Sequence, residues 1–204
     1  MSHKLVTAAF IAALLLTMVT QAADPPPAFV GLSAEKQREA IETVHKQRQD
    51  AIALFLETDR AAPAGKGDRT PYDKAMRQLG YLRAAEAVDV LVEHIDFYYS
   101  DTPAAGTRGA GLDDYPAMAA LSDIGMPAVT VLQDRLAREE DKLKRAMMCE
   151  VIRNVLGTNL GHAMLTDQIK SHTLPADKEH LQLALTQFDS DRDHNEFPYV
   201  RFKQ

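Results

Sequence analysis

One stretch near the C-terminal end of the chain has the residue types and spacing that a calcium site needs. Its acidic and amide side chains alternate along the chain, at Asp189, Asp191, Asp193 and Asn195. Alternating oxygen ligands of this kind form the first half of many calcium-binding loops. The second half is missing, because His194 stands where such a loop needs glycine and Val200 where it needs a bidentate glutamate. We therefore expect a polar tail over residues 189–204, and keep a calcium-responsive structural module as an alternative.

The other residues that could do chemistry do not form a catalytic pattern. The histidines are dispersed, with no His-Glu-x-x-His pair for zinc, and no serine lies in a Gly-x-Ser-x-Gly turn. The glycine-rich segment 106–111 lacks the Lys-Ser/Thr ending of a phosphate-binding loop. Cys149 is the only cysteine, and we expect a buried thiol because Met148 and Val151 beside it are apolar. The sequence therefore predicts no catalytic residue, no metal ligand and no cofactor.

The composition is that of a globular, acidic protein. The 204 residues are 46% hydrophobic and 25% charged, which is enough for one domain with a core. The formal charge is −6 and no run of Lys and Arg offsets it, so the sequence argues against a nucleic-acid partner. A single cysteine also excludes a disulfide within the chain, so we expect the core alone to stabilise the fold.

The N-terminal segment has the pattern of a secretory signal. A basic start at Lys4 precedes an apolar run from Leu5 to Val19, and small residues end at Ala22. The run is shorter than the roughly 20 residues that span a bilayer, so we prefer a cleaved signal over an uncleaved anchor helix. We predict a signal peptide over 1–22, a proline-rich linker over 23–32, and an exported protein, periplasmic or secreted, with no membrane span after cleavage.

The elements that must position any site are helices. Apolar residues recur at helical spacing from 33 to 188, and strand-like alternation is absent at convincing length. Ser33 is a candidate N-cap for the first helix, Thr70 and Asp73 for a capping box on the next, and Asp114 for a later one. We expect eight helices, at about 33–57, 70–83, 85–97, 115–124, 126–138, 141–156, 160–171 and 175–188, with Gly157 ending the sixth.

Two of these helix pairs repeat one another at a spacing of 41 to 42 residues. The aligned positions are Ala75, Met76, Leu79 and Leu82 with Ala117, Met118, Leu121 and Ile124, then Ala87, Val88, Val90, Leu91 and Ile95 with Ala128, Val129, Val131, Leu132 and Leu136. The second pair has small residues in its first helix, Gly125 at the turn and Pro127 at the return helix, and it resembles the HEAT-repeat consensus. The resemblance covers residues 70–138 well, and residues 145–169 more loosely.

The resemblance implies an all-α fold: a short right-handed stack of HEAT-like helical hairpins with capping helices, over residues 33–188. A compact irregular helical bundle is the alternative. HEAT-like stacks mostly bind other proteins on the face that their second helices line. The outward positions there are Asp89, Glu93, Thr130, Gln133 and Asp134, together with Asp96. This acidic and polar row would favour a basic or amine-bearing partner.

We therefore expect an exported binding or scaffold protein that engages another protein, rather than an enzyme. An enzyme or enzyme subunit stays open as an alternative, because some HEAT-like proteins are lyases that attach bilin chromophores. Those lyases act inside the cell, which the signal segment argues against. The sequence does not define an oligomeric state.

Overall fold

The computed structural model describes residues 33–61, 69–99 and 112–190. The contacts divide the chain into two units, Met1–His45 and Lys46–Gln204. In the first unit the described residues are Ser33 and the beginning of the first helix; in the second they form the remaining helices. The signal peptide predicted over 1–22, the linker over 23–32, the glycine-rich segment 106–111 and the tail beyond residue 190 lie outside the described residues.

Seven α-helices account for most of the described residues. They are α1 (Ala34–Ala61), α2 (Thr70–Tyr81), α3 (Val88–Glu93), α4 (Pro116–Ile124), α5 (Met126–Leu136), α6 (Lys142–Ser171) and α7 (Pro175–Ser190). Short 3-10 turns at Ala85–Ala87 and Leu112–Asp114 precede α3 and α4. The three described ranges contain no strand, so the prediction of an all-α fold is confirmed.

The N-cap predicted at Ser33 is confirmed, whereas the capping box predicted at Thr70 and Asp73 is not. Ser33 Oγ accepts a hydrogen bond from the backbone N–H of Lys36 at 3.4 Å, as an N-cap should. The capping box predicted for Thr70 and Asp73 is wrong, because Arg69 rather than Thr70 occupies the N-cap position and makes no side-chain cap bond. Asp73 is buried and instead accepts a 2.7 Å bond from Arg77 Nε, one turn later in the same helix. The carboxylate that the capping box required is therefore engaged in an ion pair within the helix.

The start of α4 also departs from the prediction. Asp114 lies in a 3-10 turn and Tyr115 occupies the N-cap position, with no side-chain cap bond. Asp141, by contrast, caps α6: its Oδ1 accepts from the backbone N–H groups of Leu143 and Lys144, at 2.7 and 3.0 Å. Pro116 suits the first turn of α4 without a cap, because its missing N–H would have no helical partner there.

Two glycines take backbone angles that make sharp breaks between helices. Gly125 separates α4 from α5 with φ 78° and ψ −132°, and Gly157 interrupts α6 with φ 74° and ψ 165°. Both conformations are essentially restricted to glycine, because a Cβ would clash with the neighbouring carbonyl. The break predicted at Gly157 is confirmed, and α6 continues beyond it to Ser171.

Helix α2 ends at Tyr81, two residues before its predicted end at 83, in a Schellman motif. The N–H of Ala84 donates to the carbonyl of Leu79 at 3.0 Å, and that of Arg83 to Gly80 at 2.8 Å. Arg83 is the left-handed residue of this motif, with φ 48°. The chain then passes through the 3-10 turn Ala85–Ala87 before α3 begins at Val88.

Glycine at position 83 is expected to stabilise the protein. The left-handed conformation costs an L-residue about 1 kcal/mol, and glycine avoids that cost. We expect Arg83→Gly to raise the free energy of unfolding by about 0.5–1 kcal/mol in urea titrations. Arg83→Ala is the control, since alanine pays the same backbone cost. Equal stabilities of the two variants would contradict this explanation.

The core runs through the second unit along the inner faces of these helices. Helix α2 packs against α4, α3 packs against α4 and α5, and both α4 and α5 pack against α6. The approach of α2 to α4 is very close: a Cβ built on Gly80 would lie 2.6 Å from Ala120 Cα. Small residues at this crossing therefore let the two backbones touch.

The last helix, α7, packs against α6. Phe188 is fully buried, and its ring lies so near Gly161 that a Cβ there would be 2.7 Å from the ring. The guanidinium of Arg153 stacks 4.5 Å from the centre of the same ring. Cys149 is buried and its thiol donates to the carbonyl of Ala184 at 3.5 Å, so the prediction of a core cysteine is confirmed.

Candidate partner-binding face

The two carboxylates on α3 that were predicted to face a partner are exposed, and both bind the same arginine. The side chains of Asp89 and Glu93, one turn apart on α3, are 74% and 59% exposed. From α5, Arg135 Nη2 donates to Asp89 Oδ1 and Nη1 to Glu93 Oε1, both at 2.9 Å. We call the surface formed by Asp89, Glu93, Asp96, Thr130, Gln133, Asp134 and Arg135 the α3–α5 face.

A second basic residue ties the end of α3 to a later helix. Lys144 Nζ on α6 donates to the carbonyl oxygen of Glu93 at 3.0 Å and lies 3.7 Å from Asp96 Oδ1. A cation at the C-terminal end of a helix is favourable, because the last carbonyls carry partial negative charge. Arg135 and Lys144 together hold α3, which is only six residues long, against α5 and α6.

The α5 residues of the face are less engaged with the rest of the protein. Thr130 and Asp134 are exposed, one turn apart, and the Thr130 hydroxyl donates to the Met126 carbonyl of its own helix at 3.2 Å. Gln133 is half-buried, and its backbone carbonyl accepts from Gln168 Nε2 at 2.7 Å. Thr130 and Asp134 are therefore the predicted residues with most freedom to contact a partner.

Charge on the α3–α5 face is mixed rather than uniformly acidic. Hydrogen bonding to Asp89, followed by the attraction of both carboxylates, raises the pKa of Arg135, so the guanidinium stays charged beside them. Because the carboxylates are more than half exposed, solvent screens these pairs and each contributes little to stability. The four carboxylates and the two basic side chains of Arg135 and Lys144 leave a net negative surface.

Sequence reasoning missed Arg135 and Lys144, although one signal could have found Arg135. The repeat of 41 to 42 residues places Glu93 beside the residues that follow it by one repeat, and Arg135 is 42 positions later. In such an array, opposite charges one repeat apart are therefore predicted to contact each other. Lys144 reaches α3 from 51 positions away, outside that spacing.

A second polar group lies among aromatic rings between α1, α2 and the end of α3. The Tyr72 hydroxyl donates to Asp59 Oδ1 at 2.9 Å, and His94 Nε2 lies 3.7 Å from the same oxygen. Phe55 stacks on Tyr72 at 4.9 Å between ring centres, and Phe97 packs edge-on at 4.7 Å. Burial, then the hydrogen bond to Asp59 and its negative charge, raises the pKa of Tyr72 well above its usual range. A phenol held neutral in this way packs the core and is a poor nucleophile or base.

Alkaline unfolding is the expected consequence of two such phenols. Burial, followed by the proximity of Tyr98 and Asp114, raises the pKa of Tyr115 from 10.0 to about 12. A folded-state pKa above the unfolded value gives stability that is complete below pH 10 and is lost as the pH rises towards 12 and beyond.

We therefore expect the Tm to fall through this range in parallel with tyrosinate absorbance. In a variant with Tyr72→Phe and Tyr115→Phe the fall should be shallower. An equally steep fall in the variant would contradict the assignment.

Other chemistry finds no support in the described helices. No group of three or more His, Cys, Asp or Glu side chains there is arranged to hold a metal ion. Of the calcium-like string only Asp189 is described, and it lies 3.6 Å from His162 Nε2. No described helix is both long and apolar enough to cross a membrane.

No family model, curated protein or solved structure matches this chain.

Proposed function

We propose that this protein is an exported binding or scaffold protein whose helices form a HEAT-like stack that engages a protein partner. The pattern of contacts between helices carries the proposal. The first helices of the two repeats, α2 and α4, pack together, and so do the second helices, α3 and α5. Like-on-like packing of successive hairpins supports a stack over an irregular bundle.

The α3–α5 face supports a partner that presents a basic segment. In a HEAT-like stack the second helices line the binding surface, and here they carry exposed carboxylates. Asp134 and Thr130 are free for new contacts. Asp89 and Glu93 are bound to Arg135, so an incoming cation would displace this side chain or share the two carboxylates with it. Charge complementarity of this kind contributes to specificity and association rate.

Export is supported by the signal-like segment before the described residues. The full chain, expressed in its own source, is expected outside the cytoplasm as a shortened form beginning near Ala23. Fractionation and intact-mass measurement test this directly. A cytoplasmic protein that retains residues 1–22 would overturn export without touching the binding proposal.

The binding proposal is tested by affinity capture with matched variants. Purified protein is exposed to extract from its own compartment, and retained proteins are identified by mass spectrometry. We expect a specific partner to be lost when the α3–α5 face is changed by Asp89→Asn, Glu93→Gln and Asp134→Asn. The matched control carries Asp123→Asn, Glu140→Gln and Glu179→Gln, which remove the same number of negative charges from exposed residues elsewhere. Equal retention by both variants would exclude this face as the binding surface.

A further inference from the structure

Two of the sharp breaks between helical segments carry a large exposed apolar side chain. Met126 directly follows Gly125 and is 54% exposed, and Leu160 lies just after Gly157 and is 58% exposed. We call Met126 and Leu160 the apolar turn residues. Single exposed apolar residues are common on monomeric proteins. The two become a candidate docking surface only if they lie at one edge of the packed helices.

The first half of α6, before its break, runs parallel to α7. The Cys149 thiol donates to the carbonyl of Ala184 at 3.5 Å. One turn later along both helices, Arg153 Nη2 donates to the carbonyl of Phe188 at 2.6 Å. The chain therefore advances in the same direction in the two helices, and the end of this half of α6 lies at the same edge as the end of α7.

The second half of α6 runs antiparallel to α7. Gly161, near the break, lies against the ring of Phe188 near the end of α7. At the other end, His172 Nδ1 lies 3.3 Å from Asp177 Oδ2 in the first turn of α7. Because its two halves run in opposite directions, α6 folds back on itself and forms a third hairpin, after α2–α3 and α4–α5. The last turn of α7 lies beside the turn of this hairpin.

Met126 lies at the same edge, because α5 and the first half of α6 are antiparallel. Residues 137–141 join α5 to α6, and the two helices pack together. Helices joined by so short a loop are antiparallel neighbours. At the opposite edge, His180 Nδ1 lies 3.2 Å from the carbonyl of Ala137, which follows α5. Packed helices are about 8–10 Å apart, so Met126 lies roughly one helix spacing from the turn of the third hairpin.

The chain leaves α7 beside Leu160. Asp189 Oδ2, in the last turn of α7, lies 3.6 Å from His162 Nε2, which follows Leu160 by two residues. An extended chain spans at most about 3.6 Å per residue, so Phe197, about seven residues beyond the end of α7, reaches up to roughly 25 Å from it. Both apolar turn residues, Leu160 and Met126, are within that reach.

The segment after α7 contains apolar side chains that suit such a surface. Residues 197–202 read Phe-Pro-Tyr-Val-Arg-Phe, and they include three of the six Tyr and seven Phe residues of the chain. Aromatic side chains bury more apolar area than other residues, so they are effective anchors on an apolar surface. Pro198 disfavours helix at this point and favours an extended segment, which can follow an edge from one hairpin to the next.

We propose that residues 197–202 dock within the same chain across the turns of the second and third hairpins, with Phe197 and Tyr199 covering Met126 and Leu160. The docked segment joins α7 and the third hairpin to the hairpin before it. It also removes the two apolar turn residues from water, which stabilises the contact. The proposal concerns contacts within one chain and does not rest on the function proposed for the α3–α5 face.

A fluorophore at the docking position tests the proposal. The chain contains no Trp, so Phe197→Trp introduces a single indole. In the full chain its acrylamide quenching constant should be well below the constant in urea, where the chain is unfolded. Adding Met126→Gln and Leu160→Gln should raise the constant to the urea value. The matched control adds Leu174→Gln and Leu183→Gln at exposed leucines elsewhere, and should leave the indole shielded.

Three outcomes would overturn the proposal. An indole quenched equally in native and unfolded protein would mean that the segment does not dock. Equal loss of shielding in both sets of variants would mean that it docks elsewhere. Shielding that disappears on dilution, together with a fall in molecular mass by sedimentation, would place the segment on a second copy of the chain. Far-UV circular dichroism checks that each variant keeps its helix content.

Trypsin cleavage after Arg201 tests the same contact with the natural aromatic residues in place. Release of residues 202–204 from the full chain is followed by mass spectrometry. Docking should slow this cleavage, so Met126→Gln with Leu160→Gln should accelerate it several-fold, while the control pair at 174 and 183 should not. A cleavage rate that is the same in all three proteins would contradict docking at the apolar turn residues.

Discussion

Replacing Phe188 with alanine is expected to lower the free energy of unfolding by about 3–5 kcal/mol. The ring is completely buried between α6 and α7, against Gly161, and it carries the stacked guanidinium of Arg153. Truncation removes the transfer free energy of the ring and leaves a cavity that a rigid helix pair cannot close. It also ends the cation–π contact. Urea unfolding monitored by circular dichroism measures the change.

The matched control for Phe188 lies on the same helix. Leu183 is 47% exposed, so Leu183→Ala should change stability by less than about 1 kcal/mol. If both variants lose the same small amount, α7 is not docked through Phe188. If Phe188→Ala produces two separate transitions, α7 unfolds on its own before the rest of the second unit.

Alanine at position 80 is expected to be the most disruptive one-methyl change in the described helices. Its Cβ would lie 2.6 Å from Ala120 Cα and 3.3 Å from Ala120 O, and backbone atoms cannot yield as a flexible side chain does. Alanine normally gains about 1 kcal/mol over glycine inside a helix, so the close approach must outweigh that gain. We expect a net loss of about 2 kcal/mol, since overpacking of a tight crossing forces α2 and α4 apart.

Two further variants separate this clash from other effects. Gln78→Ala, at an exposed position in the same helix, should leave stability within about 0.5 kcal/mol of the unchanged protein. Adding Ala120→Gly to Gly80→Ala removes the 3.1 Å contact with Ala120 Cβ but not the contact with Cα, so only partial recovery is expected. A stabilised Gly80→Ala protein would mean that α2 and α4 do not touch at this point.

Much of the helical architecture could be predicted because it rests on local signals. Gly125 and Gly157 mark breaks by a backbone conformation that other residues avoid, and Pro71, Pro116 and Pro127 mark helix starts. Helical apolar spacing then predicted the core, including Cys149. These signals act over a few residues, so they do not depend on knowing the tertiary structure.

The errors arose where a side chain or backbone group had more than one possible partner. Asp73 fits a capping box by spacing, but Arg77 is within reach of its carboxylate. Helix α2 ends at Tyr81, before its predicted end at 83, because Arg83 takes the left-handed conformation of a Schellman motif, which helix propensity disfavours. The candidate site shows the same limit: Asp89 and Glu93 could be predicted as exposed, but their link to Arg135 depends on how two hairpins pack.

The most direct test of partner engagement is site-specific photocrosslinking in the organism that makes the protein. A photoreactive amino acid is placed at Thr130 on the α3–α5 face and, as control, at Lys74 on the exposed side of α2. The proposed function predicts a discrete crosslinked partner from position 130, lost on adding Asp89→Asn, Glu93→Gln and Asp134→Asn, and no such product from position 74. The same product from both positions, or one from position 74 alone, would contradict binding through the second helices.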